Sequence, residues 1–120
     1  ESNYPSGHVE ELGAYDQGQE QGLWQWWYED GTPQAVGQFE TGKRVGSWTW
    51  YHENGALMMT GAYEDGEGAG EWVYYHDNGL VRGRGAFIDD EINGAWQFWH
   101  EDGSVDEERT GIYENGELSR

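Results

Sequence analysis

The chain has no cysteine, two prolines and only six basic residues among 120. Without cysteine there is no disulfide framework, no thiolate nucleophile and no sulfur-ligated metal. Six Lys and Arg against 24 Asp and Glu give a formal charge of −18, so the basic patches that nucleic acid and anionic lipid surfaces require are missing. Cations and basic proteins are the partners such a charge favours. The same charge keeps an aromatic surface soluble. No apolar run reaches the length of a membrane-spanning helix, and no secretory leader is legible, which leaves the compartment open. The first residue is Glu1, partway through a repeat, as expected of a chain cut from a longer array or released from a leader.

What is abundant is glycine and rings: 20 Gly with 8 Trp, 8 Tyr and 3 Phe. So many large apolar side chains exclude a disordered acidic tail, because an unfolded chain would leave them in water. Wrapped at 24 residues per line, the rings fall into columns. Gly22, Gly46, Gly70 and Gly94 open the lines, and Trp24, Trp48, Trp72 and Trp96 follow two places later. The next columns are Trp26, Trp50, Tyr74, Phe98, then Trp27, Tyr51, Tyr75, Trp99, then Tyr28, His52, His76, His100. A second glycine column holds Gly37, Gly61, Gly85 and Gly111, two places before Phe39, Tyr63, Phe87 and Tyr113; the last line has gained two residues. The lattice implies one continuous array over residues 1–120, made of a half repeat 1–21 and repeats 22–45, 46–69, 70–93 and 94–120.

Each line joins two ring-bearing runs through Asp30-Gly31, Asn54-Gly55, Asn78-Gly79 or Asp102-Gly103, the signal of a β-hairpin. A two-residue turn centred on these pairs sets Trp24 against Gly37, Trp48 against Gly61 and Trp72 against Gly85, and Gly22, Gly46 and Gly70 against Phe39, Tyr63 and Phe87. Each ring would then lie over the glycine opposite it, giving glycine a purpose inside a strand. In the last line the two extra residues would bring Arg109 opposite Trp96, so a longer turn or bulge is expected between Ser104 and Thr110. A second set of turns lies at Gln17-Gly18, Thr41-Gly42, Asp65-Gly66, Asp89-Asp90 and Asn115-Gly116. The expected fold is all-β, an antiparallel meander of stacked 24-residue hairpins with strands over 9–15, 22–28, 34–40, 46–52, 58–64, 70–76, 82–88, 94–100 and 107–113. Its end strands 9–15 and 107–113 would be open edges, guarded by Glu10, Glu11, Asp106, Glu107 and Glu108.

The run Gly46, Trp48, Trp50, Tyr51, the Asn54-Gly55 turn, then Gly61, Tyr63 and Gly66, with its equivalents one line before and after, resembles the MORN repeat in its bacterial variant form. The variant is similar to repeats of YwqK-like antitoxin-type proteins. The resemblance covers nearly the whole chain and implies an elongated β-hairpin array. It also implies a scaffold for protein contacts, with antitoxin or immunity roles among them. Membrane contact, which the ordinary repeat implies, conflicts with the acidity of this chain.

No constellation reads as a catalytic or cofactor site, and the chain is expected not to be an enzyme. His52, His76 and His100 share a column, yet equivalent strands of a meander stand about 10 Å apart, too far to share one ion. Asp89, Glu91 and Asn93 before Gly94 imitate the start of a calcium loop, but its last ligand position would be His100. Ser47 with His52 and Ser104 with His100 have nothing to orient a base. The binding candidate is instead the stripe Trp27, Tyr51, Tyr75 and Trp99, which alternation points away from the Trp24/Trp26 face, beside Gln25, Thr49, Val73 and Gln97. With the acidic turns it would engage a basic protein; alternatively, flat rings at even spacing would stack on a carbohydrate.

Overall fold

The structure, a computed structural model, describes residues 2–88 and 90–119. Asp89, which begins the expected Asp89-Asp90 turn and the calcium imitation, lies outside the described residues. Among the described residues eleven strands follow one another: β1 (Ser2–Asn3), β2 (Val9–Asp16), β3 (Gln19–Trp27), β4 (Pro33–Glu40), β5 (Lys43–Tyr51), β6 (Leu57–Glu64), β7 (Glu67–Tyr75), β8 (Val81–Ile88), β9 (Glu91–Phe98), β10 (Gly111–Glu114) and β11 (Glu117–Ser119). Each pairs antiparallel with its sequence neighbours in one open sheet of 48 × 31 × 16 Å. This is the expected all-β meander, with two strands more than the nine anticipated. Ser2–Asn3 and Glu117–Ser119 add outer hairpin arms, so the sheet ends at β1 and β11 and not at 9–15 and 107–113.

The Trp24–Gly37, Trp48–Gly61 and Trp72–Gly85 pairs form as expected, and so do Gly22–Phe39, Gly46–Tyr63 and Gly70–Phe87. The turn that produces them differs. The Gly31 amide donates to the Tyr28 carbonyl at 2.9 Å and the Tyr28 amide to the Thr32 carbonyl at 2.8 Å. The loop is therefore three residues long, with Gly31 at a φ of 90°. Asp30 Oδ1 accepts the Thr32 amide at 2.9 Å, and Asn54, Asn78 and Asp102 do the same for Ala56, Leu80 and Ser104. Beside the loop Trp27 meets Pro33, and a bulge between Trp26 and Trp27 accommodates Gln34 and restores the register. The opposite turns are two-residue, with positive φ at both central positions: Gln17 and Gly18, Thr41 and Gly42, Asp65 and Gly66, Asn115 and Gly116.

The ring-over-glycine arrangement needs correction. Trp24 and Gly37 are opposite one another, but the ring seated on Gly37 is Trp48, and Gly13, Gly61 and Gly85 receive Trp24, Trp72 and Trp96. A Cβ on Gly37 would fall 2.0 Å from the Trp48 indole. The reason is a second bulge, where the step from Val36 to Gln38 on β4 is matched by Val45 to Thr49 on β5. Gly46 supplies the φ of 69° that this detour needs, and a Cβ there would touch only the end of the Gln38 side chain, at 3.7 Å. Thus only one glycine column receives rings; the other forms bulges. The detour swings the indole back over the preceding strand, where Trp48 Nε1 donates to the Gln38 carbonyl at 3.2 Å, Trp24 to Ala14 at 3.1 Å and Trp96 to Ala86 at 2.8 Å.

Trp24, Trp48, Trp72 and Trp96, each 1–4 % exposed, form the core with Ala35 among the described residues. Each indole of roughly 200 Å² contributes about 5 kcal/mol of burial. Between them the rings of Trp26, Phe39, Trp50, Tyr63, Phe87 and Phe98 continue a ladder of stacked and edge-on contacts with centroids 5.2–6.2 Å apart. The extra residues of the last line loop out as expected. Gly111 still faces Trp96, while the Thr110 amide closes a turn onto the Asp106 carbonyl at 3.0 Å.

Candidate functional site

Trp27, Tyr51 and Tyr75 are the last residues of β3, β5 and β7, and Trp99 stands just past β9 in a bridge to Val105. All four are half-buried, and among the described residues none of their rings is paired with another ring or with the ladder. Successive members are separated by one intervening strand, hence about 10 Å.

Their backbones are held from the preceding repeat. Tyr4 donates to the Trp27 carbonyl at 2.7 Å and Tyr28 to the Tyr51 carbonyl at 2.5 Å. In the same column His52 Nε2 lies 3.1 Å from the Tyr75 carbonyl and His76 Nε2 2.8 Å from the Trp99 carbonyl, an acceptor to which each Nε2–H donates. Tyr and His share this column because either can reach one carbonyl on the next repeat. Asn54 and Asn78 add donations to the Asp77 and Glu101 carbonyls at 2.8 and 2.9 Å. The Ser104 hydroxyl donates to Asp102 Oδ1 at 2.6 Å.

The three-residue loop changes the neighbours of the stripe. Under a two-residue turn Trp27, Tyr51 and Tyr75 would face Gln34, Met58 and Arg82. In the structure they face Pro33, Leu57 and Val81, and Trp99 faces Val105. Directly opposed residues share a face, so the rings gain a parallel apolar row, in which Leu57 and Val105 are 36 % and 49 % exposed. Sequence reasoning missed this row; its signal was the invariable spacing of loop and strand, readable only once loop length was known. Along the adjoining turns Glu29, Asp30, Glu53, Asp77, Glu101 and Asp102 are all exposed. Asp30 and Asp102 are held below the usual carboxylate range, first by hydrogen bonds from the Thr32 and Ser104 side chains and then by those residues' amides.

A cavity lies elsewhere, at the opposite turns, where Glu40, Glu64, Asp65 and Glu67 surround about 590 Å³ over Val45 and Tyr63. It is an acidic, open cleft. Both long margins of the sheet therefore present carboxylates, while its faces carry rings.

The comparisons with known proteins agree with this geometry. No curated protein matches the chain significantly. The family model for the MORN repeat variant matches residues 20–41, 44–65 and 92–112, each span running from one odd-numbered strand through its hairpin toward the next turn. Those spans make up more than half of the sequence, and the chain belongs to the MORN repeat variant family.

Proposed function

We propose that this repeat scaffold is non-catalytic and holds a basic protein segment along the strip built from Trp27, Tyr51, Tyr75 and Trp99. One observation carries the reading: the four rings stand outside the ladder, backed by the row from Pro33 to Val105 and bordered by the acidic loops. Apolar positions about 10 Å apart beside a line of carboxylates suit an extended segment that alternates apolar and basic side chains. Interfaces of this kind take much of their affinity from a few large rings, and their association rate from charge. An antitoxin-type contact with a basic protein would be one instance.

The test is capture of proteins by the chain at low and high salt, repeated with Trp27→Ala/Trp99→Ala. A defined basic protein, captured at low salt, reduced at least tenfold at high salt and lost with the double variant, is the expected result. Because those rings lie outside the buried ladder, the variant should lose far less stability than any variant of Trp48. A cooperative unfolding curve that collapses in the double variant would return the stripe to the core and refute the reading. The even spacing of the rings also favours a second reading, stacking on a carbohydrate. Capture on immobilised neutral glycans with no salt dependence would favour that alternative.

A further inference from the structure

Repeat proteins advertise special places by breaking their own pattern, and five departures here converge on one cavity. On the ring face between β7 and β10, a cavity of about 360 Å³ is floored by Tyr74, Trp96 and Phe98 and flanked by Arg82 and Arg109. The equivalent space two repeats earlier is about 170 Å³, among Trp26, Gln34, Ala35, Trp48 and Trp50. Relative to it, Tyr74 and Phe98 replace two indoles, and Gly83 replaces Ala35. Phe98 leans over Gly83 so closely that a Cβ there would lie 2.6 Å from the ring, and this opens the floor. Arg82 stands where Gln34 and Met58 stand, at the bulge that turns the extra residue toward the ring face. Arg109 comes from the two-residue insertion, which carries its guanidinium to 5.8 Å from the centre of the Phe98 ring.

The charge is the telling part. In a chain with six bases and 24 acids, two arginines share one cavity. Among the described residues, neither guanidinium has a carboxylate at ion-pair distance, although Arg84, on the same strand as Arg82, pairs with Glu71 at 2.9 Å. In the smaller cavity Arg44 lies over two rings, Trp48 and Tyr63, at 5.2 and 5.5 Å, whereas Arg109 lies over one, Phe98. Arg82 has no ring, hydrogen-bond or ion-pair partner among the described residues, and neither does the Tyr74 hydroxyl. Trp96 and Phe98 lie nearly parallel at 20°, with Tyr113 edge-on to Phe98.

From this geometry we propose that the cavity binds a carboxylate carried on a flat apolar body, such as an aromatic carboxylic acid or the C-terminal aromatic residue of a peptide. The guanidinium fork takes the carboxylate in a bidentate pair and the rings take the body. The volume fits a ligand about the size of one aromatic residue. A single negative charge suits the site better than a phosphate dianion, because the surrounding net charge of −18 repels each further charge. The site is separate from the stripe and does not depend on the reading proposed for it.

The test is titration of the whole chain with 3-phenylpropanoate, N-acetylphenylalanine and N-acetylphenylalaninamide, following the Trp96 indole signal by NMR. Both acids should shift that signal saturably, and the amide should bind at least tenfold more weakly. Arg82→Gln, which restores the residue found at Gln34, and Arg109→Gln should each weaken binding by tenfold or more. Unchanged indole spectra would show that both variants fold. A peptide ending in Phe that binds more tightly than 3-phenylpropanoate identifies a chain terminus as the source, and the reverse order identifies a free acid. No saturable shift, equal binding of acid and amide, indifference to both arginine variants, or equal displacement by inorganic phosphate would each overturn the proposal.

Discussion

Two glycines nine residues apart show how differently one residue type is used. Gly37 has an ordinary backbone and no room, since a Cβ would sit 2.0 Å from the Trp48 ring, itself 1 % exposed. Gly46 has ample room and a φ of 69°. Gly37→Ala should therefore cost about 3 kcal/mol through overpacking, and Gly46→Ala about 1 kcal/mol through backbone strain. Urea unfolding of the two variants checks the order, and equal costs would contradict the division of labour. The glycine columns themselves are visible in the sequence, but their separate roles are not. Sequence pairing put Trp24 on Gly37, and only the bulge at Gly46 explains why Trp48 is there instead.

At the scale of the hairpin, the loops do more than reverse the chain. Asn78 accepts the Leu80 amide within its own loop and donates to the Glu101 carbonyl of the next, both at 2.9 Å. Asn78→Ala loses both and should cost about 2 kcal/mol, whereas Asn78→Asp keeps the first and should cost about half as much. Thermal melts of the pair distinguish the two bonds. Asp30 and Asp102 occupy the same column and accept hydroxyl and amide donors that favour the carboxylate, so their folded pKa values lie below the unfolded ones. Their contribution is fully present above the unfolded pKa and disappears as pH falls through the folded value. Asp30→Asn/Asp102→Asn, which copies Asn54 and Asn78, should leave stability at pH 7 nearly unchanged and make the decline below about pH 4 shallower. An identical acid limb in denaturation curves would count against that linkage.

For the whole molecule, every strand pairs only with its neighbours in the chain, and the ring contacts reach no farther than the next repeat, as from Trp26 to Trp48. Stability is then a sum of repeat and interface contributions, smallest where strands are short. Amides of β1, β10 and β11, with two, four and three residues, should exchange with solvent well before those of β4 to β8. Uniform protection in a hydrogen-exchange experiment would show a single cooperative unit instead. This end-to-end dependence also sets what the ring face and stripe can do, because each position is fixed by bonds from the repeat before it, as Trp99 is by His76.

Periodicity alone determined the meander, the hairpin count of each repeat and the pairing of Trp48 with Gly61, because a 24-residue lattice with glycine-bearing turns leaves one way to fold back. It also singled out the column from Trp27 to Trp99, since alternation needs only a count of two. What those rings stand beside was decided by tertiary structure. A loop of three residues instead of two exchanges Gln34 for Pro33 next to Trp27 and turns Gln34, Met58 and Arg82 away from the stripe. Arg82 and Arg109, 27 positions apart in no repeating relation, come to flank one cavity only because a bulge aims the first and a two-residue insertion carries the second. Such meetings depend on local departures from the period, and a periodic pattern carries no information about where its own exceptions will come together in space.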